Sequence, residues 1–267
     1  VERTSILQGD TGAGNFLFAD GRVTAVVDWE WAHYGDPMED LGNIWLRDFF
    51  TPSAGGDLSD YFRRYAAKAG LQLDRQKIIY YLVHQLIRGV VFIPHMTRRA
   101  DWRSTVALNL GYQAISDLVS CEAIGLYHGI EETETESLEI IEDPEAGDLY
   151  RLITKQLEQG VAPKLNDDYS LSLVAGVADI TRYLERRHIN GPRADKMELE
   201  GINRLLGESY QELQAARQAF NIELQNMPKT DELAVLEHCW GVARRNLELM
   251  GPLADRWRQC RLATVDV

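Results

Sequence analysis

Two aspartates and an asparagine stand close together near the start of this 267-residue chain. Asp10 lies in the run Gln8-Gly9-Asp10-Thr11-Gly12-Ala13-Gly14-Asn15, and Asp28 follows the apolar run Val23–Val27, just before Trp29-Glu30. Their carboxylate and amide oxygens are hard donors of the kind Mg²⁺ prefers. That ion takes one or two protein carboxylates and fills its shell with water and phosphate. A carboxylate held beside such an ion can accept the proton of a hydroxyl. The set can therefore hold a divalent metal and accept a proton from a hydroxyl.

These groups need elements to hold them. Asn15-Phe16-Leu17-Phe18 and Val23–Val27 are apolar and β-branched, and Asp20-Gly21 between them is a two-residue turn signal. The hairpin so predicted puts Asn15 and Asp28 at its open end. Gly9, Gly12 and Gly14 are expected to give the preceding loop backbone shapes that a Cβ forbids. Gly35-Asp36-Pro37 and Asp40 then open an apolar helix, with Asp as cap and Pro at the first helical position. A D-x-x-x-x-N spacing alone carries little information. Joined to Asp28 after a hairpin, and to Asp36 and Asp40 before a helix, it becomes specific.

Residues 4 to about 47 resemble the catalytic loop and metal segment of the aminoglycoside phosphotransferase and choline kinase-like family. The resemblance implies the carboxyl-terminal lobe of a protein-kinase-like fold, with ATP as phosphate donor, Mg²⁺ as metal and a small-molecule hydroxyl as acceptor. On that footing Asp10 is the catalytic base, Asn15 and Asp28 are the metal ligands, and Gln8, Asp36 and Asp40 brace the loop. Gln8 stands where the family usually has His, and Thr11-Gly12-Ala13 replaces the more usual Leu-His-Pro. The wording QGDTGAGNFLF with VVDWEWAHYGDPMEDL is similar to the branch found beside or fused to acyl-CoA dehydrogenases, which implies a hydroxyacyl thioester or related metabolite as substrate. The family's nucleotide-binding lobe, with its glycine-rich turn and phosphate-pairing lysine, has no counterpart before Asp10. A truncated chain, or a lobe on a separate polypeptide, is therefore expected. A non-catalytic binding or regulatory protein derived from such a kinase is the alternative.

Downstream the pattern is helical. Leu41, Ile44, Trp45 and Phe49 recur at helical spacing, and helices are predicted over 57–69, 74–97 and 103–122. Glu30, and His84 and Arg88 on the third of these, are further candidates for contact with substrate or metal. The stretch from Glu131 to Asp148 holds nine acids and no base, against a net charge of −13 for the whole chain. Such a run reads as a solvated linker. Helices predicted over 148–160, 168–188, 194–219 and 230–250, broken at Asn190-Gly191-Pro192 and Met227-Pro228, form a small bundle. This tail resembles the helical domain of unknown function that follows phosphotransferases of this branch. The expected architecture is thus mainly α with a small β-hairpin: a kinase-like lobe over 1–125, an acidic linker over 126–147 and a helical bundle over 148–267. No basic stripe for nucleic acid is present. The apolar run Ile78–Ile93 carries His84, Gln85 and Arg88 and is too short to span a membrane. Cys121, Cys239 and Cys260 have no metal or disulfide spacing, which points to a cytoplasmic setting.

Overall fold

The computed structural model describes residues 3–52, 57–101, 104–131, 133, 135–258 and 260–267. The chain divides into two compact units: 1–90 with 122–130 and 259–267, and 91–121 with 131–258. The carboxyl-terminal segment thus belongs with the amino-terminal unit, not with the bundle as expected. Hydrogen bonding explains the placement. Trp45 Nε1 donates to the Ala263 carbonyl, Arg75 Nε to that of Val265 and Arg63 Nη2 to that of Asp266, while Val265 is fully buried.

In the first unit, β1 (Ser5–Leu7) pairs antiparallel with β4 (His33–Gly35), and β2 (Phe16–Ala19) pairs antiparallel with β3 (Arg22–Val26). The β2–β3 pair is the predicted hairpin. Asp20 and Gly21 both take positive φ, 51° and 72°, as a tight two-residue turn requires. Three helices follow: α1 (Pro37–Phe50), α2 (Leu58–Ala69) and α3 (Arg75–Arg98), the last belonging to this unit up to Val90. Asp36 caps α1 by accepting from Met38 N, and Asp57 caps α2 by accepting from Asp60 N. Gly70 closes α2 at φ 64°. Leu7, Leu41, Trp45, Phe62, Ile78, Ile79, Leu82 and Leu86 are almost wholly removed from solvent and form the core. α1 and α3 approach closely at Gly42, where a Cβ would lie 2.7 Å from Leu82 N.

At 24 residues and a mean hydropathy of 1.2 over its most apolar window, α3 is long and apolar enough to cross a membrane. The sequence run had been too short because the helix extends past it at both ends. Its buried row from Ile78 to Leu86 nevertheless packs in this unit's core. The unit boundary at Val90–Val91 falls where Pro94 removes the amide that would bond the Val90 carbonyl.

The second unit contains most of α4 (Val106–His128), then α5 (Pro144–Lys155), α6 (Asp168–Leu206), α7 (Leu213–Glu223) and α8 (Glu232–Met250). The break expected at Asn190-Gly191-Pro192 does not occur. α6 runs straight through it, because Pro192 removes one helical bond and the rest of the ladder continues. It ends instead at Gly207, φ 67°, with Glu208 N donating to the Asn203 carbonyl. The predicted 194–219 helix is accordingly divided between α6 and α7.

The acidic stretch is only partly the solvated linker expected. Leu138 is buried against Ala194 and Leu249, with Ile140 packed alongside. Asn190, almost fully buried, accepts from Ile141 N and donates to the Ile141 carbonyl, so the strap is held as if by a strand. Two apolar side chains among the acids supply the docking that charge counting missed.

Asp117, on α4, is largely buried and makes no hydrogen bond or ion pair among the described residues. Burial lifts its carboxyl from 3.8 to about 6. The folded protein therefore holds this proton more tightly than the unfolded chain. Its contribution is fully present below pH 3.8 and is lost as pH rises through 6, worth about 3 kcal/mol at most. Asp117→Asn is expected to raise Tm at pH 7.5 and to change it little at pH 4. Calorimetry at the two pH values checks this, and an equal shift at both would remove the burial argument.

Candidate active site

Asp10 sits in a loop whose backbone is held from one stripe of α1. Asp40 accepts from Gln8 N through Oδ2 and from Gly9 N through Oδ1, both at 3.0 Å. Asn43 Oδ1 accepts from Thr11 N at 2.6 Å and from the Thr11 hydroxyl at 2.9 Å. Arg47 Nε lies 3.4 Å from Asp10 Oδ1. Positions 40, 43 and 47 share a helix face by spacing. Burial pushes the Asp40 carboxyl up, while the amides of Gln8 and Gly9 pull it down.

Gln8 ties the loop to the end of the hairpin. Its Oε1 accepts from Asp10 N at 2.7 Å, and its Nε2 donates to the carbonyls of Val27, 3.1 Å, and Asp28, 2.7 Å. A neutral amide does here what needs both a donor and an acceptor. Asn15 Nδ2 donates to the Asp10 carbonyl at 2.7 Å and to Asp10 Oδ2 at 3.1 Å. Val27 N donates to the Asn15 carbonyl, closing the open end of the hairpin. Asp28 adopts a left-handed backbone, φ 60° and ψ 57°, at a cost of about 1 kcal/mol. Its carboxylate is exposed and has no partner among the described residues. The fold thus brings Asp10 and Asn15 into contact and anchors the backbone of Asp28 to the same glutamine.

The loop glycines serve different ends from those expected. Gly9 alone needs its freedom: φ is +80°, and a Cβ would lie 2.6 Å from the Trp31 carbonyl oxygen. Gly12 has ordinary dihedrals, and the absence of its Cβ leaves room for the Arg47 guanidinium. A Cβ at Gly14 would meet nothing within 4 Å.

Asp36, the cap of α1, also faces Lys77 Nζ at 3.3 Å. Glu30 and His84 are exposed and make no hydrogen bond among the described residues. Arg88 is committed elsewhere: it lies over the Trp31 ring at 4.5 Å and donates to Gln85 Oε1. Gln85 donates in turn to buried Glu39, which meets His33. Sequence reasoning missed Asn43, Arg47 and Glu39. The polar positions at three- and four-residue spacing on α1, set between core residues, were the available signal.

Residues 2–77 match the family model described as Phosphotransferase enzyme family. The matched span takes in the loop, both strand pairs, α1 and α2, and ends just inside α3. This segment is phosphotransferase-like, which supports the aminoglycoside phosphotransferase resemblance and a kinase-like enzyme in general. Searches of curated proteins and of solved structures gave no match.

Two predictions test the geometry. Gly9→Ala, strained in φ and in collision with backbone, is expected to destabilise the protein by about 2–3 kcal/mol. Denaturant titration measures it, and a loss under about 0.5 kcal/mol, within ordinary surface-substitution scatter, would contradict the close approach to Trp31. His33 Nδ1 faces the Trp31 carbonyl at 2.9 Å and Nε2 faces Glu39 Oε2 at 3.2 Å. Two acceptors favour the imidazolium, so the pKa rises above 6.5, chiefly through the Trp31 carbonyl. The stabilisation is complete below pH 6.5 and disappears as pH rises through the folded-state value. NMR titration should place His33 above 6.5 in the native protein and lower in Glu39→Gln.

Proposed function

We propose that this site carries out ATP-dependent phosphoryl transfer to the hydroxyl of a small molecule, with Asp10 as the base. The observation that carries the reading is the Asp10–Asn15 contact, held by α1 beside the end of the hairpin. The donor set fits Mg²⁺. Asn15 uses its amide nitrogen on Asp10, and its Oδ1 accepts no bond among the described residues. Asp28 offers an exposed carboxylate on a backbone already fixed. Among the described residues no three carboxylate, imidazole or thiol groups gather to hold an ion by themselves. Two carboxylates and an amide suit an ion that leaves positions to water and phosphate.

Bound Mg²⁺–ATP would supply the phosphoryl group and offset its charge. Asn15 and Asp28 would hold the ion. Asn15 fixes the Asp10 carboxylate, whose other oxygen is steadied by Arg47. Asp10 then accepts the acceptor's hydroxyl proton and orients its oxygen, a contribution made largely by positioning. A hydroxyacyl thioester or related hydroxylated metabolite is the substrate class suggested by the wording of residues 8–18 and 26–41. The nucleotide is expected to need a further lobe, on an extended chain or on a separate polypeptide. The apolar side chains standing out from the two strand pairs, Ile6, Leu17, Phe18 and Tyr34, support such a cover.

With the lobe supplied, Asp10→Asn keeps the loop's backbone bonds and is expected to lower kcat by about 10²–10⁴-fold, with nucleotide affinity nearly unchanged. Equal turnover in both proteins removes Asp10 from its role. Separately, Mn²⁺ with ATP should broaden the side-chain amide signals of Asn15, and Asp28→Asn should weaken that broadening. No broadening of Asn15 would dismiss the metal assignment whatever the activity.

A further inference from the structure

The second unit contains an arginine in an unusual position. Arg245, on α8, is only 7% exposed, yet its guanidinium has no hydrogen bond or ion pair among the described residues. It opens on a cavity of about 380 Å³ lined by α6, α8 and the strap residues Thr133, Thr135 and Glu136. A buried cation is costly unless paired, and burial does work against the charge on Arg245.

The nearby acids do not answer this need. Glu198 is taken by Arg217 in a two-bond pair, 2.6 Å each. Glu237 accepts from the Thr133 hydroxyl at 3.0 Å, and Glu200 lies 3.7 Å from Lys196 Nζ. Glu136, exposed on the strap, and Glu198 favour the Arg245 charge through space without pairing with it. A second polar group in the cavity is also unsatisfied: the Thr135 hydroxyl is buried without a hydrogen-bond partner. Arg204, exposed at the rim, has no partner among the described residues either.

The wall is shaped around polar groups. A Cβ at Gly201 would lie 2.4 Å from His238 Nδ1, and one at Gly241 would lie 3.0 Å from Arg245 Nη1. His238, its pKa lowered by burial, stands edge-to-face on Phe220 and can offer a neutral ring nitrogen. Met197 and Leu205 add apolar surface.

We infer that this cavity binds a small organic anion, its carboxylate or phosphate head on Arg245, the Thr135 hydroxyl and Arg204, and its apolar part along Met197 and Leu205. The volume lies in the small-molecule range. The acids at the rim select against polyanions, so the ligand carries one or two charges. Its lining residues all belong to the second unit, whereas Asp10 belongs to the first.

The test is thermal unfolding at pH 7.5 with increasing inorganic phosphate or propionate, ionic strength being held constant with sodium chloride. A saturable rise in Tm is expected with at least one of them. A response to phosphate alone assigns a phosphate head, and a response to propionate alone a carboxylate head. Arg245→Met, which removes an unpaired buried charge, is expected to fold and to lose the response. Arg204→Ala, at an exposed position, should weaken apparent affinity at least about threefold and carries the test should Arg245→Met not fold. Asp10→Asn should respond as the native chain does, which separates this site from the first. No saturable shift with either anion, or the same shift in Arg204→Ala as in the native chain, overturns the proposal.

Discussion

The site around Asp10 depends on a helix holding the backbone of a loop. Asp40, Asn43 and Arg47 project from one stripe of α1, while Leu41, Trp45 and Phe49 on the same helix are buried in the core. The buried stripe fixes the helix and the polar stripe passes that rigidity to residues 8–11. Three backbone amides that would otherwise need water are bound by side chains from a single element. A loop restrained in this way loses little further entropy when it positions a reacting group. On the proposed function, this is how the Asp10 carboxylate can sit on a loop and yet be placed by a helix.

Much of this was legible from the residues and some was not. The hairpin could be read because Asp-Gly between β-branched runs specifies a turn with positive φ twice in succession. The caps at Asp36 and Asp57 and the stop at Gly70 could be read because each satisfies an orphan backbone group at a helix end. The β1–β4 pairing could not, since three-residue strands carry no periodicity and the partners are far apart in sequence. Nor could the continuity of α6 through Pro192, where packing of the helix on both sides outweighs one lost bond. Asn43 and Arg47 were hidden because a polar residue on an amphipathic helix reads as solvated until something is found opposite it.

The acidic strap shows the same limit from the other direction. Nine carboxylates between residues 131 and 150 argue for free solvation, and most of them are exposed. Leu138 and the backbone of Ile141 nevertheless bind the bundle. Net charge is an average over a segment, whereas docking is decided by the two or three positions that reach a complementary surface. The strap is also the wall that closes the cavity over Arg245, so its docking has a consequence for that unit's chemistry.

The hairpin raises a related question of stability. An isolated two-stranded ribbon is marginal in water, and β2 and β3 expose most of their apolar side chains, Phe18 at 64%. What holds the pair is its open end: Val27 to Asn15, Gln8 to Val27 and Asp28, and Trp29 Nε1 to the Val26 carbonyl. The same bonds locate the groups proposed to hold metal. A cover over the apolar face would therefore act on Asn15 and Asp28 without touching them, by restraining the ribbon whose end they occupy. On the proposed function, binding of nucleotide by such a cover and readiness of the metal site would be coupled through this hairpin, in both directions and by the same free energy.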